Sequence, residues 1–273
     1  MTDAPVNPLP PTPSWAVFTK PWPDLTVDQL ARKVAGWGFS GIELPLRYGY
    51  QVEPAAAERE LPAFAAKLAG HGLRIVSLAA DTAERTFAAC AAAGVPLIRI
   101  MLRVGEEGYP AAEAEARRLL DSAAELSGRY GVTVGVQPHM GRFVSDAAGL
   151  RALIADYPPE RIAAVWDAGH DALSARHPEH GLDILAPHLR LVNLKNVILR
   201  RVNGPEASHA VWRHHWTSGR HGLADWPAVA EHLRERIGWS GPIVLCAEYA
   251  DGDLVERLVP DDLAYARELF GDG

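Results

Sequence analysis

A single closed (β/α)8 (TIM) barrel is the fold that this sequence predicts, and three observations predict it. Eight short apolar runs are spaced along the 273 residues. The stretches between them carry helix start and stop signals. No G-x-G-x-x-G follows the first run, which argues against a doubly wound open sheet. Each run is near-continuously apolar rather than alternating, the pattern of a parallel strand covered on both faces.

The elements follow in order. A Pro-rich lead-in, residues 1–13, precedes the first strand, "WAVFTK" (15–20). The domain proper is residues 14–273. The helix "TVDQLARKVAGWG" opens with Thr26 and Gln29 at capping-box spacing. Strands "GIELPLR" (41–47) and "RIVSLAA" (74–80) come next. The helix "DTAERTFAACAAAG" has Asp81 and Glu84 at the same spacing and stops at Gly94. Strand "PLIRIML" (96–102) leads into the longest helical run, "AAEAEARRLLDSAAELSGRYG". Strands "VTVGVQPH" (132–139), "AAVWDAGH" (163–170) and "LRLVNLKN" (189–196) follow. The connection from Val197 to Trp226 is far longer than usual and is expected to form a lid at the catalytic end. The helix "DWPAVAEHLRERIG", strand "PIVLCAEY" (242–249) and helix "VPDDLAYARELF" close the chain.

Composition narrows the function. With 48% hydrophobic and 22% charged residues the chain reads as globular, large enough to need no disulfide scaffold. Its two cysteines, Cys90 and Cys246, stand in no C-x-x-C spacing. A net charge of −7 argues against a nucleic-acid partner. No run is long enough to span a membrane, and no leader pattern precedes the first strand, so a cytoplasmic location is expected.

Active sites of such barrels sit at the C-terminal ends of the strands. Those ends carry Lys20, Glu43 with Arg47, Asp81, Arg99 with Arg103, Gln137 with His139, Asp167 with His170, Asn193 with Lys195 and Asn196, and Glu248. Side chains alternate along a strand, so Gln137 and His139 share a side, as do Asn193 and Lys195, and Cys246 and Glu248. Buried charge is costly unless paired or used, and polar groups at nearly every strand end point to a polar pocket. Each residue also has a plainer reading. Asp167 is a natural cap for a following helix, and Glu43 with Arg99 could be an ion pair that holds the barrel. The loop histidines 209, 214, 215 and 221 read as solvated. Trp212 and Trp216 would pack the lid or stack on a sugar.

The stretch "FTKPWPDLTVDQLARKVAGWGFSGIELP" with "VWDAGH", "LVNLKN" and "GLADWPAVAEHL" resembles the sugar phosphate isomerase/epimerase superfamily, the xylose-isomerase-like TIM barrels, over roughly residues 14–270. The resemblance implies a sugar or cyclitol isomerase, epimerase or dehydratase that abstracts a proton next to a carbonyl. It places a divalent metal, Mg or Mn given an oxygen-rich donor set, at Gln137, Asp167, Asn193 and Glu248. Gln137 stands where the family has glutamate, Asn193 where it has histidine, and Asn196 where it often has aspartate. A glutamine amide does not titrate, so the expected proton carriers are Glu248, Lys195 and His139. Lys20, Glu43, Arg99 and His170 are expected to bind substrate, a sugar or polyol. A homodimer is a further expectation. The alternative is a member that has lost catalysis and binds a sugar-like ligand. The family's endonuclease branch needs many more His and carboxylate ligands than these strand ends supply.

Overall fold

Alternation along each strand builds this molecule from the inside outward. In the computed structural model, which describes residues 13–174 and 177–272, Ser14–Phe18 (β1) turns Ala16 and Phe18 inward and Trp15 and Val17 toward the helices. The same rule runs through Gly41–Pro45 (β2), Arg74–Ala79 (β3), Leu97–Ile100 (β4), Thr133–Val136 (β5), Ile162–Asp167 (β6), Leu189–Leu194 (β7) and, last in sequence, Pro242–Cys246 (β10). These strands pair in parallel and close in the order β1-β10-β7-β6-β5-β4-β3-β2. The expected (β/α)8 barrel is therefore the fold. The lead-in expected over residues 1–13 lies, up to residue 12, outside the described residues.

Two apolar layers hold the barrel. The inner one, at its base, is Ala16, Phe18, Val76, Ala79, Leu97, Val165, Leu191 and Val244. Gly135 belongs to this layer by what it lacks. A Cβ there would lie 2.7 Å from Val165 Cγ2 and 3.1 Å from Leu97 Cδ1, so the glycine makes room for both. The outer layer packs the opposite strand faces, among them Ile42, Ile98, Val134, Trp166 and Ile243, against the helices.

Val27–Gly36 (α1) carries the predicted capping box in full, with the Thr26 side chain on the Gln29 N–H and the Gln29 side chain on the Thr26 N–H. Its Leu30, Ala31 and Val34 are buried. The second expected box is corrected. Glu84–Ala93 (α3) is preceded by Ala83, and Asp81 instead accepts from Ala83 N at 3.1 Å and Thr86 Oγ1 at 2.6 Å, two residues too early to cap. Tyr109–Tyr130 (α4) is the longest helix and ends on Gly131 at φ 67°.

Besides a short helix that starts at Ala168, three helices are additional to those the sequence marks: Ala57–Ala69 (α2), Ala147–Ile154 (α5) and Pro178–Leu185 (α7). The first contains Pro62, the second is short and includes Gly149, and the third opens on a proline. Packing against the barrel overrides these weak local propensities. The strand expected over 163–170 ends at Asp167, and Ala168–Ser174 (α6) begins at once, so His170 is helical.

The connection expected as a lid is largely a β-hairpin. Asn196–Arg201 (β8) pairs antiparallel with Trp212–Thr217 (β9), from Asn196 opposite Thr217 to Arg201 opposite Trp212. Trp226–His232 (α8) follows, and Val255–Phe270 (α9) ends the chain. No helix among the described residues is long and apolar enough to cross a membrane.

Candidate active site at the barrel mouth

One step along each strand from the apolar base, the inward positions turn polar. They join in a hydrogen-bonded arc from β2 to β6. Ser77 Oγ donates to Glu43 Oε1 at 2.9 Å. Arg99 binds the same carboxylate in bidentate fashion, Nε to Oε1 at 2.6 Å and Nη2 to Oε2 at 3.1 Å. Its Nη1 donates to Gln137 Oε1 at 2.6 Å, and Gln137 Nε2 donates to Asp167 Oδ2 at 2.8 Å. The other Asp167 oxygen accepts from the His170 N–H at 3.0 Å. Burial opposes the Arg99 charge, yet Glu43 beside it holds the guanidinium above its usual value. Burial pushes the Asp167 carboxyl up, against the pull of Lys195 and the His170 N–H.

Above this arc, Glu248 is gripped by two ammonium groups. Lys195 Nζ lies 2.7 Å from Oε2, and Lys20 Nζ binds Oε1. Burial alone would raise the Glu248 carboxyl, but Lys195 and Lys20 outweigh it and hold it at about 2. Lys195 is buried and sits 3.6 Å from the centre of the Trp216 ring, so β9 roofs the cation. Trp216 is fixed in turn: its carbonyl accepts from Ala250 N at 3.0 Å, and the neighbouring His215 faces Asp251 at 3.4 Å.

An aromatic wall stands opposite. His139 lies on His170 with ring centres 3.9 Å apart, and the His170 ring meets Trp216 edge-on at 5.1 Å. His139 Nδ1 is 2.8 Å from the Met140 carbonyl, which only accepts. Nδ1 therefore carries the proton and Nε2 keeps a lone pair. Burial lowers both histidines, His170 to about 2, so both rings are neutral near pH 7.

Lys20, Arg99, Gln137, His139, Asp167, His170, Asn193, Lys195 and Glu248 all line one cavity, so the structure brings nearly every sequence-predicted site residue together. Glu43 is the exception. It is fully buried, touches Arg99 and Ser77, and supports the site from beneath instead of reaching a ligand. Arg47, set with Glu43 at the end of the second strand by the sequence, also lines the cavity, as its two-residue period from Glu43 implies. Asn193 is completely buried, and neither its Oδ1 nor its Nδ2 has a protein partner.

Asn196 has a different task. Its Nδ2 donates to the carbonyls of Gly219 (2.7 Å) and Ala224 (2.9 Å), and its Oδ1 accepts from Val197 N and Ala224 N. The amide pins the segment between β9 and α8, and Trp226 Nε1 reaches back to the Lys195 carbonyl at 3.3 Å.

The four residues expected to hold a divalent metal do not make a donor set for one. Both Glu248 oxygens face ammonium groups, both Asp167 oxygens accept N–H donors, and the Gln137 oxygen faces Arg99. That leaves the neutral Asn193 oxygen. Among the described residues no three His, Cys, Asp or Glu side chains converge as ligands. Lys20 and Lys195 already place positive charge on the Glu248 carboxylate.

The family model for the xylose isomerase-like TIM barrel matches residues 31–269. No curated protein sequence matches the chain. Among solved structures, the chain is similar to the probable 3-DHS dehydratase AsbF of Bacillus anthracis, at 14% identity and TM-score 0.69, covering 92% of this chain and 97% of that one. It is similar to D-psicose 3-epimerase of Clostridium cellulolyticum H10, at 12% identity and TM-score 0.68, covering 94% and 99%. It is also similar to the 3-keto-D-glucoside 4-epimerase YcjR of E. coli, at 15% identity and TM-score 0.67, covering 94% and 100%. At these identities the likeness is one of fold.

Proposed function

The chain belongs to the xylose isomerase-like TIM barrel family, and from that premise we propose that it is a sugar or cyclitol isomerase, epimerase or dehydratase that enolises a carbonyl-bearing substrate without a metal. One observation carries the reading. A buried ammonium (Lys195), an ionised carboxylate (Glu248) and a neutral imidazole with a free lone pair (His139) line a single cavity at the catalytic end of the barrel. Removal of a proton next to a carbonyl needs a base and a positive group for the developing oxyanion. Glu248 is the base, freed as substrate draws the lysines onto its own oxygens. Lys195 stabilises the enolate oxygen, the task a metal would otherwise perform. Glu248 releases its proton to solvent, and His139, once its Nε2 has taken up a proton from solvent, delivers that proton to the enolate; which carbon receives it decides between isomerisation and epimerisation. The related structures of two epimerases and a dehydratase support the same class of chemistry.

The test is proton exchange. Incubation with a panel of ketoses and aldoses in D2O, read by NMR, should show deuterium entering the C–H next to the carbonyl. Glu248→Gln should abolish it. Exchange that survives this substitution unchanged sinks the base assignment. A polyol that binds while no sugar exchanges would favour the second reading, a sugar-binding member without turnover. The amide at Gln137, which cannot titrate, is the observation behind that reading.

A further inference from the structure

The barrel mouth carries more positive charge than it cancels internally. Lys20, Arg47, Arg99 and Lys195 are set against Glu43, Asp167 and Glu248, in a chain whose net charge is −7. The distribution matters more than the total. Glu43 neutralises Arg99 from beneath, at the floor. At the rim, Lys20 and Lys195 share the carboxylate of Glu248, and Asp167 faces Lys195 from the floor, so the positive charge left over is that of Arg47. Arg47 is exposed, and among the described residues its guanidinium joins no hydrogen bond or ion pair.

Space lies beside that unpaired charge. A second cavity of about 320 Å³ opens under the ends of β2, β3 and β4, and it shares Arg47, Arg99 and Met101 with the central one. Its one carboxylate, Asp81, is already engaged by the Ala83 N–H, Thr86 Oγ1 and Arg85. At the floor of the central cavity, Asn193 offers one donor and one acceptor without a protein partner, fully buried. A buried amide left in that state costs free energy until a ligand group or water meets it.

We infer that the natural ligand is a polyhydroxylated molecule bearing an oxyanion, a carboxylate or a phosphate, with the oxyanion held at the Arg47 and Lys20 rim and a hydroxyl on Asn193. This rests on reading the mouth as a sugar site, and it adds the charge class of the sugar. Guanidinium and ammonium groups bind both oxyanions through charge-assisted hydrogen bonds, and arginine suits their planar, two-pronged geometry. A neutral sugar would leave Arg47 idle.

The test uses three open-chain probes without a carbonyl: D-glucitol, D-gluconate and D-glucitol 6-phosphate. Each is titrated into the full chain by isothermal calorimetry at low salt. At least one of the anions should bind about tenfold tighter than D-glucitol, the worth of one charge-assisted hydrogen bond. Whichever anion wins identifies the oxyanion. Arg47→Met, at an exposed position where the fold does not depend on the side chain, should bring the favoured anion down toward D-glucitol. Asn193→Leu should weaken all three alike. Equal affinities, no saturable binding of either anion at tens of millimolar, or a preference that survives Arg47→Met would overturn the inference. Because the probes cannot turn over, the outcomes separate. Anion preference without deuterium exchange in any sugar defeats the isomerase reading alone, and exchange without anion preference defeats this one alone.

Discussion

Glu43→Leu removes the carboxylate that balances Arg99 while keeping a side chain of similar bulk. In the native barrel Glu43 is fully buried, Arg99 is 7% exposed, and two hydrogen bonds of 2.6 and 3.1 Å join them. After the substitution the guanidinium retains only the neutral Gln137 oxygen, at 2.6 Å. A buried charge left without its partner costs about 3–5 kcal/mol. With a urea m-value of about 3 kcal/mol/M, that moves the unfolding midpoint down by more than about 1 M. Arg99→Met should be destabilising too, since Glu43 then keeps only the Ser77 hydroxyl. The double variant Glu43→Leu with Arg99→Met carries no unpaired charge and should sit within about 2 kcal/mol of the parent. The assay is equilibrium urea unfolding followed by tryptophan fluorescence on all four proteins. A single-variant shift below about 0.3 M, or a double variant as unstable as the sum of the singles, would refute the view that the pair frames the barrel by mutual neutralisation.

Asn196→Asp withdraws both donors from the Gly219 and Ala224 carbonyls and sets a carboxylate against them. It should cost about 2–3 kcal/mol in the same unfolding assay, and an unchanged midpoint would mean the amide is not what pins this loop. Burial, reinforced by the nearby carboxylates of Asp167, Asp146 and Glu179, pushes Asp171 up to about 7. The folded chain then holds a proton that the unfolded chain releases near pH 4. Stability from this group is therefore highest at low pH and falls by up to about 4 kcal/mol as pH rises from 4 to 7. Asp171→Asn should flatten that part of the melting-temperature profile, and an unaltered profile would clear Asp171 of the effect. Finally, the wild-type chain should leave the electron paramagnetic resonance signal of equimolar Mn²⁺ undiminished. Gln137→Glu with Asn193→His should quench it, and stoichiometric quenching by the wild type would overturn metal-free enolisation.

The barrel was legible because its strands obey a strong local rule: continuous apolar runs set apart by capped helices. The site was legible for a related reason. Polar residues at the ends of such runs are expensive unless they face a mouth, and period-two alternation told which of them share a side. Arg99, Gln137 and Asp167 could each be placed at a strand end in this way, but their linkage into one arc depends on neighbours across a closed sheet, brought together from strands far apart in sequence. The β8–β9 hairpin escaped for another reason. Its strands are mostly exposed and carry His and Arg, and the Asn203-Gly204 turn signal stands at one end of a ten-residue connection (202–211) instead of between two alternating apolar runs, so little local separates the hairpin from a polar loop. Asn193 reads in sequence as a metal ligand in the position where the family has histidine, and only burial shows that both ends of its amide are unanswered.

Asp167 shows why cap and site residue were never true alternatives here. In a parallel barrel each strand's C-terminal end is also where the next helix begins, so one position faces both the mouth and a helix N-terminus. Asp167 uses one oxygen for each: Oδ1 takes the His170 N–H at the start of α6, and Oδ2 takes the Gln137 amide inside the site. The cap orients the carboxylate, the carboxylate orients Gln137, and Gln137 presents its carbonyl to Arg99. The first turn of α6 also carries His170, which backs His139. A single acid at the end of an apolar strand thus sets the geometry of two walls of the cavity. The charge that acts on a ligand is left to the lysines and arginine at the rim.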